Sequence, residues 1–117
     1  VIALVALGGA LGAMARHAVD LGLGPGRPGR STALINVLGS FLIGLVAALA
    51  TRGIVDGDLR TVLATGFLGG FTTFSAASLD VVERTEQDGR AVGMRRAIVV
   101  PVAAVAACAV GLWLGSR

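Results

Sequence analysis

Gly66-Phe-Leu-Gly-Gly-Phe-Thr-Thr-Phe-Ser75 sets three glycines, three phenylalanines and three hydroxyl side chains next to one another inside an otherwise apolar run. Glycine costs about 1 kcal/mol in a helix interior, and threonine is stiff at its first side-chain torsion. The Gly69-Gly70 pair followed by Thr72 and Thr73 therefore predicts a broken helix. Such a break releases carbonyls and amides, which a bilayer tolerates only where the backbone is buried in protein or lines a cavity, and breaks of this kind commonly hold ions. The competing reading is a glycine kink whose hydroxyls bond back onto their own helix. Phe67, Phe71 and Phe74 supply three of the four phenylalanines in the chain. Their ordinary role is packing. Ring edges nevertheless carry partial positive charge, and edges turned inward make a weak site suited to a small, hard anion.

Around this stretch the chain reads as four spans. A bilayer core about 30 Å thick needs about 20 apolar residues, and runs of that size lie at 1–19, 32–51, 59–82 and 97–115. Only Arg16 and His17 interrupt the first, and Arg60 and Asp80 bracket the third. Of the 117 residues, 55% are hydrophobic and 15% charged. A water-soluble chain this small has too much surface to hide that much apolar material. The expectation is one four-helix membrane domain over 1–117, with no separate soluble part. The lone Cys108 makes no intrachain disulfide and reads as a packing residue. No charged stretch precedes the first apolar run, so a cleavable signal peptide is not expected.

Gly and Pro in the link 21–30 and the short link 52–58 read as turns, while the link 83–96 has room for an extra helical turn. All ten basic residues are arginine and give a net charge of +3. Without a basic stripe interleaved with aromatics, no nucleic-acid partner is expected. Arg27, Arg30, Arg84, Arg90, Arg95 and Arg96 fall on one side of the membrane and Arg52, Arg60 and Arg117 on the other, which favours both termini outside. Trp113 reads as an interfacial anchor.

Small residues recur four apart at Gly8 and Gly12, Gly9 and Ala13, Gly66 and Gly70, and Ala103 and Ala107, a spacing that lets membrane helices approach closely. Asn36 carries donors and an acceptor that lipid cannot satisfy. With Ser40 one turn on and Gly39 and Gly44 beside it, it reads equally as a pore wall or as an interhelical hydrogen bond. No catalytic dyad, metal-ligand cluster or phosphate loop is present, so an enzyme is not expected.

Taken together, Gly8-Gly9, Gly12-Ala13 and Arg16, then Asn36-Val-Leu-Gly-Ser-Phe-Leu-Ile-Gly44, then Gly69-Gly-Phe-Thr-Thr-Phe-Ser75 resemble the CrcB/Fluc family of fluoride channels. The resemblance implies an all-α membrane protein of four transmembrane helices with a broken third helix, assembled as an antiparallel, dual-topology dimer. It also implies passive export of fluoride across the plasma membrane of a prokaryote, with a structural sodium ion at the dimer centre. By motif position, the carbonyls of Gly69 and Thr72 would hold that ion. Asn36, Ser40, Phe71, Phe74 and Ser75 would line the fluoride path, and Arg16 and Asp80 would flank a vestibule. Two departures stand out. Ser75-Ala76-Ala77 lacks the family's second inward phenylalanine, and the run 97–115 lacks hydroxyls. Together with the arginine asymmetry they suggest a specialised subunit that forms a heterodimer with an inverted paralogue supplying the missing groups, an antiparallel homodimer being the alternative. The rival readings are a small multidrug/proton antiporter, which needs a carboxylate inside a span, and a non-conducting assembly subunit.

Overall fold

In a computed structural model, residues 1–23 and 30–117 are described. The Gly- and Pro-rich turn expected in the first link, with Arg27, lies outside the described residues. Helix α1 (Ile2–Leu23) and helix α2 (Arg30–Thr51) form the first two spans. The third begins with α3 (Gly57–Arg60), capped by Asp56, whose carboxylate accepts from the Leu59 amide at 2.8 Å. It continues as a π-helical segment (Thr61–Leu68) and α4 (Gly69–Phe71), stops, and resumes as α5 (Phe74–Asp88). Helix α6 (Arg90–Gly115) is the fourth span. All four are long and apolar enough to cross a membrane, and the protein is a multi-pass membrane protein.

The break falls later than the glycines suggested. Gly69 is helical (φ −62°, ψ −39°), whereas Thr72 (φ −81°, ψ 157°) and Thr73 (φ −151°, ψ 121°) are extended. Both threonines act on the helix ends. The Thr72 hydroxyl donates back to the Leu68 carbonyl at 3.0 Å, and the Thr73 hydroxyl accepts from the Ala76 amide at 3.2 Å as the cap of α5. The back-bonding of the kink reading is therefore present alongside the break. Gly70 serves close approach instead, since a Cβ there would meet the carbonyl of Gly9.

That contact belongs to a seam between α1 and the third span. A Cβ at Gly12 would run into the Phe67 carbonyl, and one at Gly66 would come within 2.9 Å of the Val5 carbonyl. A second seam joins α2 to α6, where a Cβ at Gly44 would run into the Cys108 carbonyl, one at Gly111 into that of Phe41, and one at Gly115 would come within 3.0 Å of that of Leu45. Within each seam the two helices run parallel, as the ascending pairs show. Backbone contact at both seams is the close packing that membrane helices use in place of a hydrophobic driving force.

Large side chains point the other way. Ile2, Leu4, Leu7, Leu11 and Met14 of α1 are exposed, while Ile35, Ala48, Leu68 and Phe71 make up the buried apolar set among the described residues. Small interior and apolar exterior suit a lipid solvent. The third link is shorter than the charge pattern implied. Helices α5 and α6 extend through the charged residues to meet at Gly89, whose φ of 99° turns the chain in one residue. At the opposite end Arg52 Nη1 donates to the Gly115 carbonyl at 3.1 Å, a cationic cap on the C-terminus of α6.

Candidate functional site

The Thr72 amide still closes onto the Leu68 carbonyl at 2.9 Å, but the amide and carbonyl of Thr73 need partners that no helix supplies. Asn36 provides them. Its Nδ2 donates to the Thr73 carbonyl at 2.8 Å, and the Thr73 amide donates to Asn36 Oδ1 at 2.8 Å. A single side-chain amide thus pairs with both groups of one residue, as a neighbouring strand would. Gly39, one turn along the same face of α2, makes room for the break, because a Cβ there would collide with Thr72 Cγ2. Asn36 and Gly39 together seat the break against α2. The role of Gly39 was missed in the sequence, where the i, i+3 spacing of Asn36 and Gly39 was its only signal.

The clamp answers the question the sequence left open about Asn36: it is an interhelical bond, and it also stands at a cavity wall. An amide nitrogen has two donor hydrogens, so one bond to Thr73 leaves a second for another acceptor. In a continued helix the Thr73 amide would close onto the Gly69 carbonyl. Its diversion to Asn36 releases that carbonyl.

Two open cavities meet near the break. The first, about 530 Å³, lies between α2, α5 and α6 and is lined by Asn36, Ser40, Thr72, Thr73, Phe74, Asp80 and Arg96, with Ala97, Val100 and Pro101 forming an apolar wall. The second, about 440 Å³, lies between α1, α2 and α5 and takes in Arg16, His17, Asp20, Thr73 and Ser75.

The structure brings the expected path residues only partly together. Asn36, Ser40 and Phe74 line one cavity, and Ser75 lines the other, its hydroxyl 3.2 Å from that of Thr73. Phe71 lines neither cavity. It is 5% exposed and stacked on Phe67 with ring centroids 6.1 Å apart, because four residues along a helix return it to the same face as Phe67. Phe74, the first residue of α5, is 87% exposed and projects from the chain. The two vestibule candidates are also separated, with Arg16 in the second cavity and Asp80 in the first. Asp80 is 7% exposed and holds Arg96, whose Nε donates to Asp80 Oδ2 at 2.7 Å. Arg96 went unrecognised in the sequence, since sixteen residues and a turn separate the pair.

Comparison with known proteins places this arrangement. The family model described as CrcB-like protein, Camphor Resistance (CrcB), matches residues 3–116. A protein of Chelativorans sp. named fluoride-specific ion channel FluC is 44% identical over 116 residues, covering 95% of this chain and 92% of its own. One from Leifsonia xyli, named fluoride-specific ion channel FluC 1, is 40% identical over 98% of this chain and 86% of its own. A third, from Thermus thermophilus and also named fluoride-specific ion channel FluC, is 51% identical over 68% of this chain and 66% of its own. With the family model matching residues 3–116, the chain belongs to the CrcB family.

Proposed function

We propose that this protein is a passive fluoride channel of a prokaryotic plasma membrane. The observation that carries the reading is the Asn36 clamp on Thr73, which holds an extended backbone beside a cavity within the span and aims an amide there. The names of the relatives supply the ion. Fluoride trapped in the cytoplasm after entering as neutral HF would leave down its gradient, so no covalent step is needed. Selectivity arises because a narrow path strips water from the ion and returns only a few contacts. The remaining Asn36 hydrogen and the Ser40 hydroxyl are donors on the first cavity, and the edge of Phe74 offers weak positive charge.

Assembly as an antiparallel dimer would cover the ring of Phe74, which is 87% exposed beside the first cavity, and would let a second subunit close the path there. That subunit is a further copy or an inverted paralogue. The released Gly69 carbonyl and the extended Thr72 carbonyl fit a structural sodium ion, since a hard cation takes neutral oxygen ligands. One chain offers too few such oxygens, so a partner would complete the set. When bound, sodium would supply positive charge at the subunit seam.

The antiporter reading needs a carboxylate available inside a span. Asp80 is the buried acid among the described residues, and it is engaged by Arg96. The test is fluoride efflux from liposomes loaded with potassium fluoride and treated with valinomycin, followed by a fluoride electrode. Rapid efflux with chloride retained is the expected result. Retained fluoride would overturn the reading and leave an assembly subunit. Replacing sodium on both faces with N-methylglucamine is expected to abolish flux, and undiminished flux would remove the sodium proposal alone.

A further inference from the structure

Pro101 stands well inside α6, and the helix runs straight through it. Proline is the least favourable residue at such a position, because it has no amide hydrogen and cannot close the bond onto the carbonyl four residues before it. The carbonyl that loses its helical donor is that of Ala97. Ala97 and Pro101 both line the first cavity, so the gap in the hydrogen-bond ladder lies on the cavity wall. Within a span such a carbonyl is satisfied by a neighbouring side chain or by water. Two hydroxyls on the other walls point to water. Ser40 of α2 and Ser78 of α5 line the cavity, and their hydroxyls take no partner among the described residues. Thr51 and Thr85, also within α-helices, instead donate back to the carbonyls of Ala47 and Val81 at 3.0 and 2.8 Å, the local bond that a helical hydroxyl commonly makes. With the second hydrogen of Asn36 Nδ2, these groups surround a space of about 530 Å³. A water takes about 30 Å³ in the liquid and needs about two to four polar partners. The cavity meets both conditions.

We infer that the Ala97 carbonyl freed by Pro101 is a water-binding site, and that its water is the contribution of α6 to the anion path. This rests on the channel reading above. Apart from Arg96, which Asp80 holds, α6 lines the cavity with Ala97, Val100, Pro101 and Ala104, none of which has a side-chain donor. A bare carbonyl repels an anion. A water that donates one hydrogen to Ala97 has its other hydrogen for the ion, and a bond made through such a water is nearly as good as a direct one. The site thereby turns an acceptor into a donor, on a different wall from Asn36 and Ser40. Pro101 is the positioning residue, acting by denying Ala97 its helical partner.

Ala97-Ile98 is the only Ala-Ile pair in the sequence, so alanine labelled with carbon-13 at the carbonyl, together with nitrogen-15 isoleucine, isolates the Ala97 carbonyl in solid-state NMR of the protein in lipid. Magnetisation from water should reach this carbon early in wild type and late in Pro101→Ala, where the restored amide closes the helical bond. Initial fluoride efflux from liposomes should fall about two- to tenfold in Pro101→Ala, the range of one net hydrogen bond. The melting temperature in detergent should hold or rise, because alanine favours the helix. Adding Ala104→Ser puts a hydroxyl on the same wall and should recover part of the efflux while the Ala97 carbonyl stays dry. A dry Ala97 carbonyl in wild type would overturn the inference, as would unchanged efflux in Pro101→Ala. A loss of efflux that Ala104→Ser does not repair would mark a packing proline and overturn it too. Absence of wild-type efflux beside a hydrated Ala97 carbonyl would overturn the channel reading and leave the water site standing alone.

Discussion

Replacing Asn36 by aspartate exchanges one NH2 group for an oxygen and leaves the shape of the side chain intact. The Thr73 amide keeps its acceptor, while the Thr73 carbonyl loses the 2.8 Å donor it has in the native protein. Interhelical hydrogen bonds in membranes contribute about 0.6 kcal/mol on average and about 1.7 kcal/mol at most. A carbonyl left without a partner adds about 1–3 kcal/mol, for a total of about 2–5 kcal/mol bearing on the break. Asn36→Ala loses both bonds and should destabilise to a similar degree. The two variants part company in their charge. A carboxylate about 4 Å from an anion repels it by about 4 kcal/mol at an effective dielectric of 20, close to a thousandfold in occupancy. Asn36→Asp should therefore conduct far less fluoride than Asn36→Ala, although it keeps one more native bond. Melting in detergent and electrode-monitored efflux measure the two effects separately. Wild-type melting in Asn36→Ala would show that the clamp does not hold the break. Efflux in Asn36→Asp equal to or above that in Asn36→Ala would show that the anion does not pass this amide.

Gly12→Ala should lower the melting temperature sharply, because its Cβ would overlap the Phe67 carbonyl and force α1 off the third span, at about 1–3 kcal/mol for overpacking. Gly22→Ala, with nothing within 4 Å of its Cβ, is the control and should melt like wild type or slightly higher. Phe74→Ala should leave the subunit folded, since the ring is exposed, but should weaken dimerisation in a cross-linking assay and reduce fluoride efflux. Unchanged behaviour in both would mean that the ring faces lipid.

The spans were legible because hydropathy sums along the chain without reference to anything distant. Leaving the membrane places each apolar run in water, so the four runs must be buried whatever surrounds them. Each lies within one of the four helices apart from the first residue of the first run, although the third and fourth helices run six and seven residues further into the charged link. The unrest of the third span was legible for the same local reason, in glycines and threonines side by side. Its exact position was not. Gly69 and Gly70 both stay helical, the missing side chain of Gly70 being spent on contact with Gly9 of α1, and the break moves to Thr72 and Thr73, where Asn36 pairs with the backbone of Thr73.

Pairing is the part that only tertiary structure decided. Asn36 and Thr73 are 37 residues apart, and Asp80 and Arg96 are 16 apart. Nothing in their local context selects one polar partner over another, because a hydrogen bond depends on distance and angle in space. The same holds for the separation of Arg16 from Asp80 into different cavities, and for the turning of Phe71 into the core while Phe74 turns out. The amino-acid order by itself determined how many rods the chain makes and which rod must break. How those rods lean together determined what the broken backbone holds, because polar groups in a low-dielectric interior take whichever complement the packing brings within reach.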